Sequence, residues 1–353
     1  MNEVKKISMR SSIVAGALAL AGVVATATAA DISGAGATFP YPIYAKWAEA
    51  YKAKTGVGLN YQSIGSGGGI KQIKAATVTF GASDKPLEAK ELDESGLVQF
   101  PMIIGGVVPV VNVPGLKAGQ LVLDGPTLAS IYMGEIATWN DARIKALNPK
   151  LNLPATAIAP VYRSDGSGTN FLFTNYLSTV SPTFKGKIGA ATSVEWPTGI
   201  GAKGNEGVAN MTTQTTGAIG YVEYAYAKQN AMTYVQMKNH DGKLVAPEAT
   251  AFAAAAANAD WASAPGYYLI LTDQPGAKSW PITGASFIIM YKSPKEPAAA
   301  AEALKFFAWA YKNGAEMANS LDYVPLPEKV VKLVEQTWKS SITSNGKPVW
   351  SGK

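Results

Sequence analysis

The sequence contains no cysteine and a single histidine among 353 residues. Without thiols there can be no disulfide framework, no cysteine nucleophile and no lipid-modified cysteine to tether the chain. With one histidine, a zinc centre or a Ser-His-Asp triad has few possible members. That residue, His240, sits in Asn239-His240-Asp241-Gly242, which reads as an exposed turn. Charge is sparse as well: 16% of residues are charged, 31 basic against 25 acidic, for a net +6. The excess is scattered, so the clustered basic patch of a nucleic-acid binder is missing, while a small positive balance suits an anionic ligand. No G-x-x-x-x-G-K-[ST] motif occurs, which excludes an ATPase. Gly199-Ile200-Gly201-Ala202-Lys203-Gly204 matches G-x-G-x-x-G, with Glu223 near the ribose-contact distance. It follows Trp196-Pro197 rather than a buried strand, and no nucleotide or other cofactor is expected.

Long apolar runs are also lacking, except near the start. Lys5, Lys6 and Arg10 precede an apolar stretch from Ile13 to Val24, followed by small residues through Ala30. This order is that of a secretory signal, and Ala27-Thr28-Ala29 supplies the A-x-A cleavage pattern. The expectation is a signal peptide over residues 1–29, cleaved near Ala29, and a mature protein free in the periplasm. Loss of three basic residues and Glu3 would leave a net +4. No later segment reaches the roughly 18 apolar residues of a membrane-spanning helix.

From Ala30 onward, short apolar strands alternate with amphipathic helices, which predicts α/β architecture with largely parallel sheets. Helices are predicted from Pro40 to about Lys54, from Asp124 to near Gly134, and from Pro297 to Asn313-Gly314. Ile103 to Val111 and Ser286 to Tyr291 read as buried strands and as candidates for segments passing between two lobes. Thr77 to Phe80 reads as a further strand, and Ala251 to Ala257 as a surface helix.

Three segments share one physical form, a small or hydroxyl residue and glycines ahead of a helical pattern: Gly34-Ala35-Gly36-Ala37-Thr38-Phe39-Pro40, Gly65-Ser66-Gly67-Gly68-Gly69 and Arg163-Ser164-Asp165-Gly166-Ser167-Gly168-Thr169. Glycines let backbone amides approach a ligand, and a helix start offers unpaired N–H donors with partial positive charge. An oxyanion fits such a set, with Ser and Thr hydroxyls as further donors. Arg163 would supply a planar fork of positive charge, held by Asp165 two residues on. Asp84, in Phe80-Gly81-Ala82-Ser83-Asp84, would repel an anion unless that anion carries a proton to give it. Hydrogen phosphate does and sulfate does not, so Asp84 is the residue expected to select a protonated oxyanion.

These motifs, with Gly217-Ala218-Ile219-Gly220-Tyr221-Val222-Glu223-Tyr224, resemble in content and order those of the phosphate-specific substrate-binding proteins of bacterial ABC importers, over essentially all of residues 31–350. The resemblance implies a two-lobed periplasmic-binding-protein fold of type II, with mixed sheets flanked by helices and the ligand in the interlobe cleft. One lobe would be residues 30–108 with 284–353 and the other 109–283. It implies phosphate binding by Thr38, Phe39, Ser66, Asp84, Arg163, Asp165, Ser167, Gly168 and Thr169, without metal or catalysis. Gly67 departs from some members, which carry a second serine there, but Ser66 is retained. The implied partners are inorganic phosphate and the membrane permease of an importer with its cytoplasmic ATPase; a monomer is expected. The alternatives are a binder of another tetrahedral oxyanion such as sulfate or molybdate, a secreted phosphatase, or a surface adhesin or scavenger on the same fold.

Overall fold

The computed structural model describes residues 32–352, so the expected signal peptide lies outside the described residues. The chain begins with β1 (Ile32–Gly36), α1 (Tyr41–Thr55), β2 (Leu59–Ser63), α2 (Ser66–Lys74), β3 (Phe80–Ser83), α3 (Ala89–Glu94) and a long β4 (Leu97–Val111). It continues through β5 (Val122–Leu123), α4 (Gly125–Tyr132), α5 (Ala142–Leu147), β6 (Ala159–Arg163), α6 (Gly168–Val180), α7 (Pro182–Lys187), β7 (Ile200–Ala202), α8 (Gly204–Gln214), β8 (Ala218–Glu223) and α9 (Tyr224–Gln229). Three short strands, β9 (Thr233–Tyr234), β10 (Gln236–Lys238) and β11 (Leu244–Val245), lead to α10 (Ala249–Ala256), β12 (Thr283–Tyr291), α11 (Pro297–Asn313), α12 (Ala315–Asn319) and α13 (Glu328–Ser341).

The principal sheet has the order β2-β1-β3-β12-β4-β8-β6-β7, with β9 also beside β4. Its two flanks are parallel, β2-β1-β3 on one side and β8-β6-β7 on the other, while β12 and β4 join them antiparallel. The fold is therefore mixed α/β. β4 spans both flanks: Leu97 to Gly106 pairs with β12, and Val107 to Val111 pairs with β8. Every residue of β4 is buried, the reason its sequence is a continuous apolar run without alternation. Pro101 cannot donate to the ladder, and the register against β12 shifts between Ser286 and Phe287 at that point.

The helices follow their sequence signals. α1 begins after Pro40, buries Ile43, Tyr44, Trp47 and Tyr51, and ends at Gly56, whose left-handed conformation lets its N–H bond Lys52 O. α4 is capped by Asp124, which accepts from Thr127 N. α11 buries Leu304 and Phe307 as predicted, and Phe306 as well, while Ala308 and Tyr311 are only partly covered. Two expectations change. The strand predicted at Thr77 to Phe80 forms at Phe80–Ser83, because small residues allow α2 to lie almost on the sheet: Gly81 packs under Ile73, and Gly69 faces the backbone of β1 and β3. The Ala-rich tract is a half-buried helix; Phe252 lies over Gly106 of β4 and edge-on to Trp280.

A Cβ on Gly69 would stand 2.5 Å from Gly36 Cα and 2.6 Å from Ala35 O. Alanine is the better helix former by about 1 kcal/mol, yet Gly69→Ala is expected to cost about 1–3 kcal/mol through overpacking against backbone that cannot yield. Urea unfolding checks this, and an unchanged or raised midpoint would mean that α2 can slide away from the sheet.

Candidate functional site

The three glycine-containing loops, which follow β1, β2 and β6, meet beside Asp84 at the end of β3. From β1 the chain turns through Ala37, whose N–H bonds Ala82 O, into Thr38, Phe39 and α1. Gly65 precedes α2 with φ of 86°, and a Cβ there would fall 2.3 Å from Asp165 Oδ2. Only glycine permits that approach. Beside it, Gly67 N donates to Gly166 O at 2.8 Å. Ser66 Oγ accepts from Asp84 N at 3.2 Å and Gly168 N at 3.0 Å, so its hydroxyl proton is left to donate elsewhere. Gly168 is packed so closely that an added Cβ would lie 2.6 Å from Asp84 Oδ2.

All the predicted site residues come together here. Thr38, Phe39, Ser66, Asp84, Arg163, Ser167 and Thr169 are buried, and Asp165 partly so. Their placements divide the work. Ser167 Oγ caps α6 by accepting from Asn170 N at 2.9 Å, aligning the first turn of that helix. Phe39 contributes backbone rather than ring: its carbonyl accepts from Tyr323 OH at 2.6 Å while the ring packs edge-on to Tyr323. Thr38 Oγ1 accepts from Asn205 N and Nδ2.

Charge is concentrated in three side chains. Arg163 donates Nε to Asp165 Oδ1 at 2.8 Å and Nη2 to Oδ2 at 2.6 Å, a bidentate pair buried on the arginine side. Gly204 N donates to the same Oδ1 at 3.1 Å. Burial raises Asp165, but the hydrogen bonds and charge of Arg163, with Gly204 N–H, hold its carboxyl below the usual range. Arg163 Nη1 and both carboxylate oxygens of Asp84 are buried without a partner among the described residues. Burial pushes Asp84 up to about 7, against the lowering influence of the Ser286 hydroxyl and the Arg163 charge. Ser286 stands beside it without completing a hydrogen bond of good geometry.

Several participants escaped sequence reading. Asn205 and Gly204 lie at the end of the rejected G-x-G-x-x-G segment, where β7 passes into α8; the glycines serve a strand-to-helix turn that clamps Asp165. Glu223 Oε2 accepts from Ala225 N at 2.9 Å and lies 2.7 Å from Tyr323 OH, and Tyr226 OH donates to Thr38 O at 2.6 Å. The Gly217–Tyr224 motif pointed at this neighbourhood but not at partners 100 or 188 residues away. His240 is exposed in a turn, with Nδ1 3.2 Å from Asp273 Oδ2.

A model of the PBP superfamily domain matches residues 23–313, which defines the class: a binding-protein fold. The "Phosphate-binding protein PstS" of Xylella fastidiosa is 55% identical over 309 residues, covering 88% of this chain and 85% of that protein. The one of Pasteurella multocida is 53% identical over 326 residues, covering 92% and 95%. The chain belongs to the PstS family of phosphate-binding proteins. Among solved structures, the phosphate-binding protein of Stenotrophomonas maltophilia shares the fold, with a TM-score of 0.65 at 21% identity over 92% of this chain and 99% of that one. A phosphate-bound putative ABC-transporter substrate-binding protein from Clostridium perfringens gives 0.61 at 18% identity, over 84% and 100%.

The raised carboxyl of Asp84 makes a stability prediction. Its folded value of about 7 lies above the 3.8 of an unperturbed aspartate, so between these values the folded protein binds more protons than the unfolded chain and stability falls as pH rises. Phosphate-free native protein is expected to lose stability from pH 5 to pH 7.5, and Asp84→Asn to lose less. Glu223, raised chiefly by burial, acts in the same direction in both proteins, so the difference between the two unfolding series reports Asp84 together with the smaller repulsion it exerts on Glu223. Parallel series would place Asp84 in a solvated setting.

Proposed function

We propose that this protein binds inorganic phosphate between two lobes in the periplasm and delivers it to the permease of an ATP-driven importer. The observation that carries this reading is the set of buried polar atoms left facing one another: an acceptor carboxylate on Asp84, a donor on Arg163, and hydroxyl protons on Ser66 and Thr38. Buried polar groups are costly unless paired. A tetrahedral anion with one proton answers each of them, since three oxygens accept and the fourth donates to Asp84. Thr38, Phe39, Ser66, Arg163, Ser167, Gly168 and Thr169 serve as the donor shell, with Asp165 holding Arg163 from behind.

The lobes proposed are residues 30–108 with 284–353 and residues 109–283. Support comes from β4, whose pairing passes from β12 to β8 between Gly106 and Val107, and from β12, which starts at Thr283. Residues 1–29 direct export and are then cleaved, and the working form is a monomer. The curated relatives are named as binding proteins, in keeping with capture without turnover. Sulfate is the weaker reading because it brings no proton to Asp84.

Arg163→Ala removes the charge while leaving Asp165 and the anion buried. Truncating one member of such a pair costs about 2–5 kcal/mol, so calorimetric titration with phosphate should show a loss of at least about 30-fold in affinity. A loss under about threefold would put Arg163 outside the binding shell.

A further inference from the structure

Asn205 is the second residue of α8, fully buried, with every polar atom of its side chain engaged. Its Oδ1 accepts the backbone N–H of Glu223 at 2.8 Å. A peptide N–H can only donate, so the atom facing it must be the oxygen, and the amide cannot turn over without losing that bond. Nδ2 consequently faces two hydroxyls, Thr38 Oγ1 at 2.6 Å and Thr169 Oγ1 at 3.2 Å. An amide nitrogen also only donates. Both hydroxyl oxygens therefore accept, and Thr38 Oγ1 takes a second bond from Asn205 N at 3.2 Å, which fills both its lone pairs. The protons of Thr38 and Thr169 are left to be given elsewhere.

We infer that Asn205 is a positioning residue that fixes the polarity of the Thr38 and Thr169 hydroxyls, holding both as donors toward the anion; this rests on the phosphate-binding reading above. A free hydroxyl can present either a proton or a lone pair, and a lone pair aimed at an anion repels it. With both hydroxyls locked as donors, they suit unprotonated anion oxygens, and Asp84 remains the acceptor for the protonated one. Asn205 raises affinity without touching the ligand. It also works at a distance in the fold: Thr38 follows β1 and Asn205 follows β7, at opposite sides of the sheet path. The Thr38 hydroxyl is locked only when those two sides are together.

Asn205→Asp tests the inference because it keeps the shape and the Oδ1 acceptor for Glu223 N–H, yet turns the donor into an acceptor when ionised. The threonine hydroxyls then give their protons to the carboxylate and lone pairs to the anion. Phosphate affinity at pH 8.5, relative to native protein at the same pH, should fall about 10- to 100-fold. The deficit should shrink as pH is lowered to 5, where a protonated Asp donates again. A loss that does not change with pH, or no loss, overturns the inference. A second measurement covers poor folding of that variant: in a double-mutant cycle of Asn205→Ala with Thr169→Val, the combined loss should fall short of the product of the single losses by at least about threefold. Multiplicative losses would give Asn205 a purely structural role. Native protein that fails to bind phosphate would overturn the binding reading itself, and this inference with it; native binding with either negative result removes only the role of Asn205.

Discussion

An anion stripped of water must be matched oxygen by oxygen, and the arrangement around Arg163 depends on how that is done. The guanidinium is fully charged, but Asp165 already balances it through two short bonds. What the pair offers a ligand is therefore less a net charge than a rigid donor, Nη1, held in a fixed plane. Counting formal charges, Arg163 and Asp165 cancel and Asp84 adds nothing or a negative charge. Compensation must come from dipoles: helix starts at α1, α2 and α6, backbone N–H groups, and oriented hydroxyls. In the function proposed, the three glycine loops at three strand ends meet that need.

The sheet makes such an arrangement possible. β4 and β12 run through its middle, and the two parallel flanks hang from them. Polar contacts that cross between the flanks include Gly67 N to Gly166 O, Gly168 N to Ser66 Oγ, Asn205 to Thr38, and Tyr226 OH to Thr38 O. Each involves a residue proposed for the binding shell or one next to it. In the function proposed, closure and ligand capture would draw on the same atoms, and phosphate would shift the population toward the closed form only by contacts that exist there.

Much of this was legible in the sequence. Thr38, Ser66, Asp84 and Arg163 were readable because their chemistry is local: a glycine loop, a hydroxyl and a helix start lie within a few residues of one another. The capping of α4 by Asp124 and the buried run of β4 were readable for the same reason. Other features depend on long-range packing. β3 is built of Gly81, Ala82 and Ser83, a weak strand signal, because α2 needs room above it. Asn205 looked like part of an unused nucleotide motif, and its role became visible only with Thr38, 167 residues away, against its amide. Glu223 and Tyr323 likewise show their pairing only in three dimensions.

In the proposed site, Asp84 recognises the proton of the anion. Sulfate has the size and shape of hydrogen phosphate but no proton at neutral pH, so it would set two negative groups together in a dry site. Sites built around one hydrogen bond can reject an analogue lacking its partner by about 10⁴–10⁵-fold. The most direct measurement is the affinity of native protein and of Asp84→Asn for both anions, at one pH and ionic strength. Native protein should strongly prefer phosphate, and the variant, whose amide can donate to either anion, should show a much narrower gap. Sulfate binding to native protein within about tenfold of phosphate, near 1.4 kcal/mol, would contradict it.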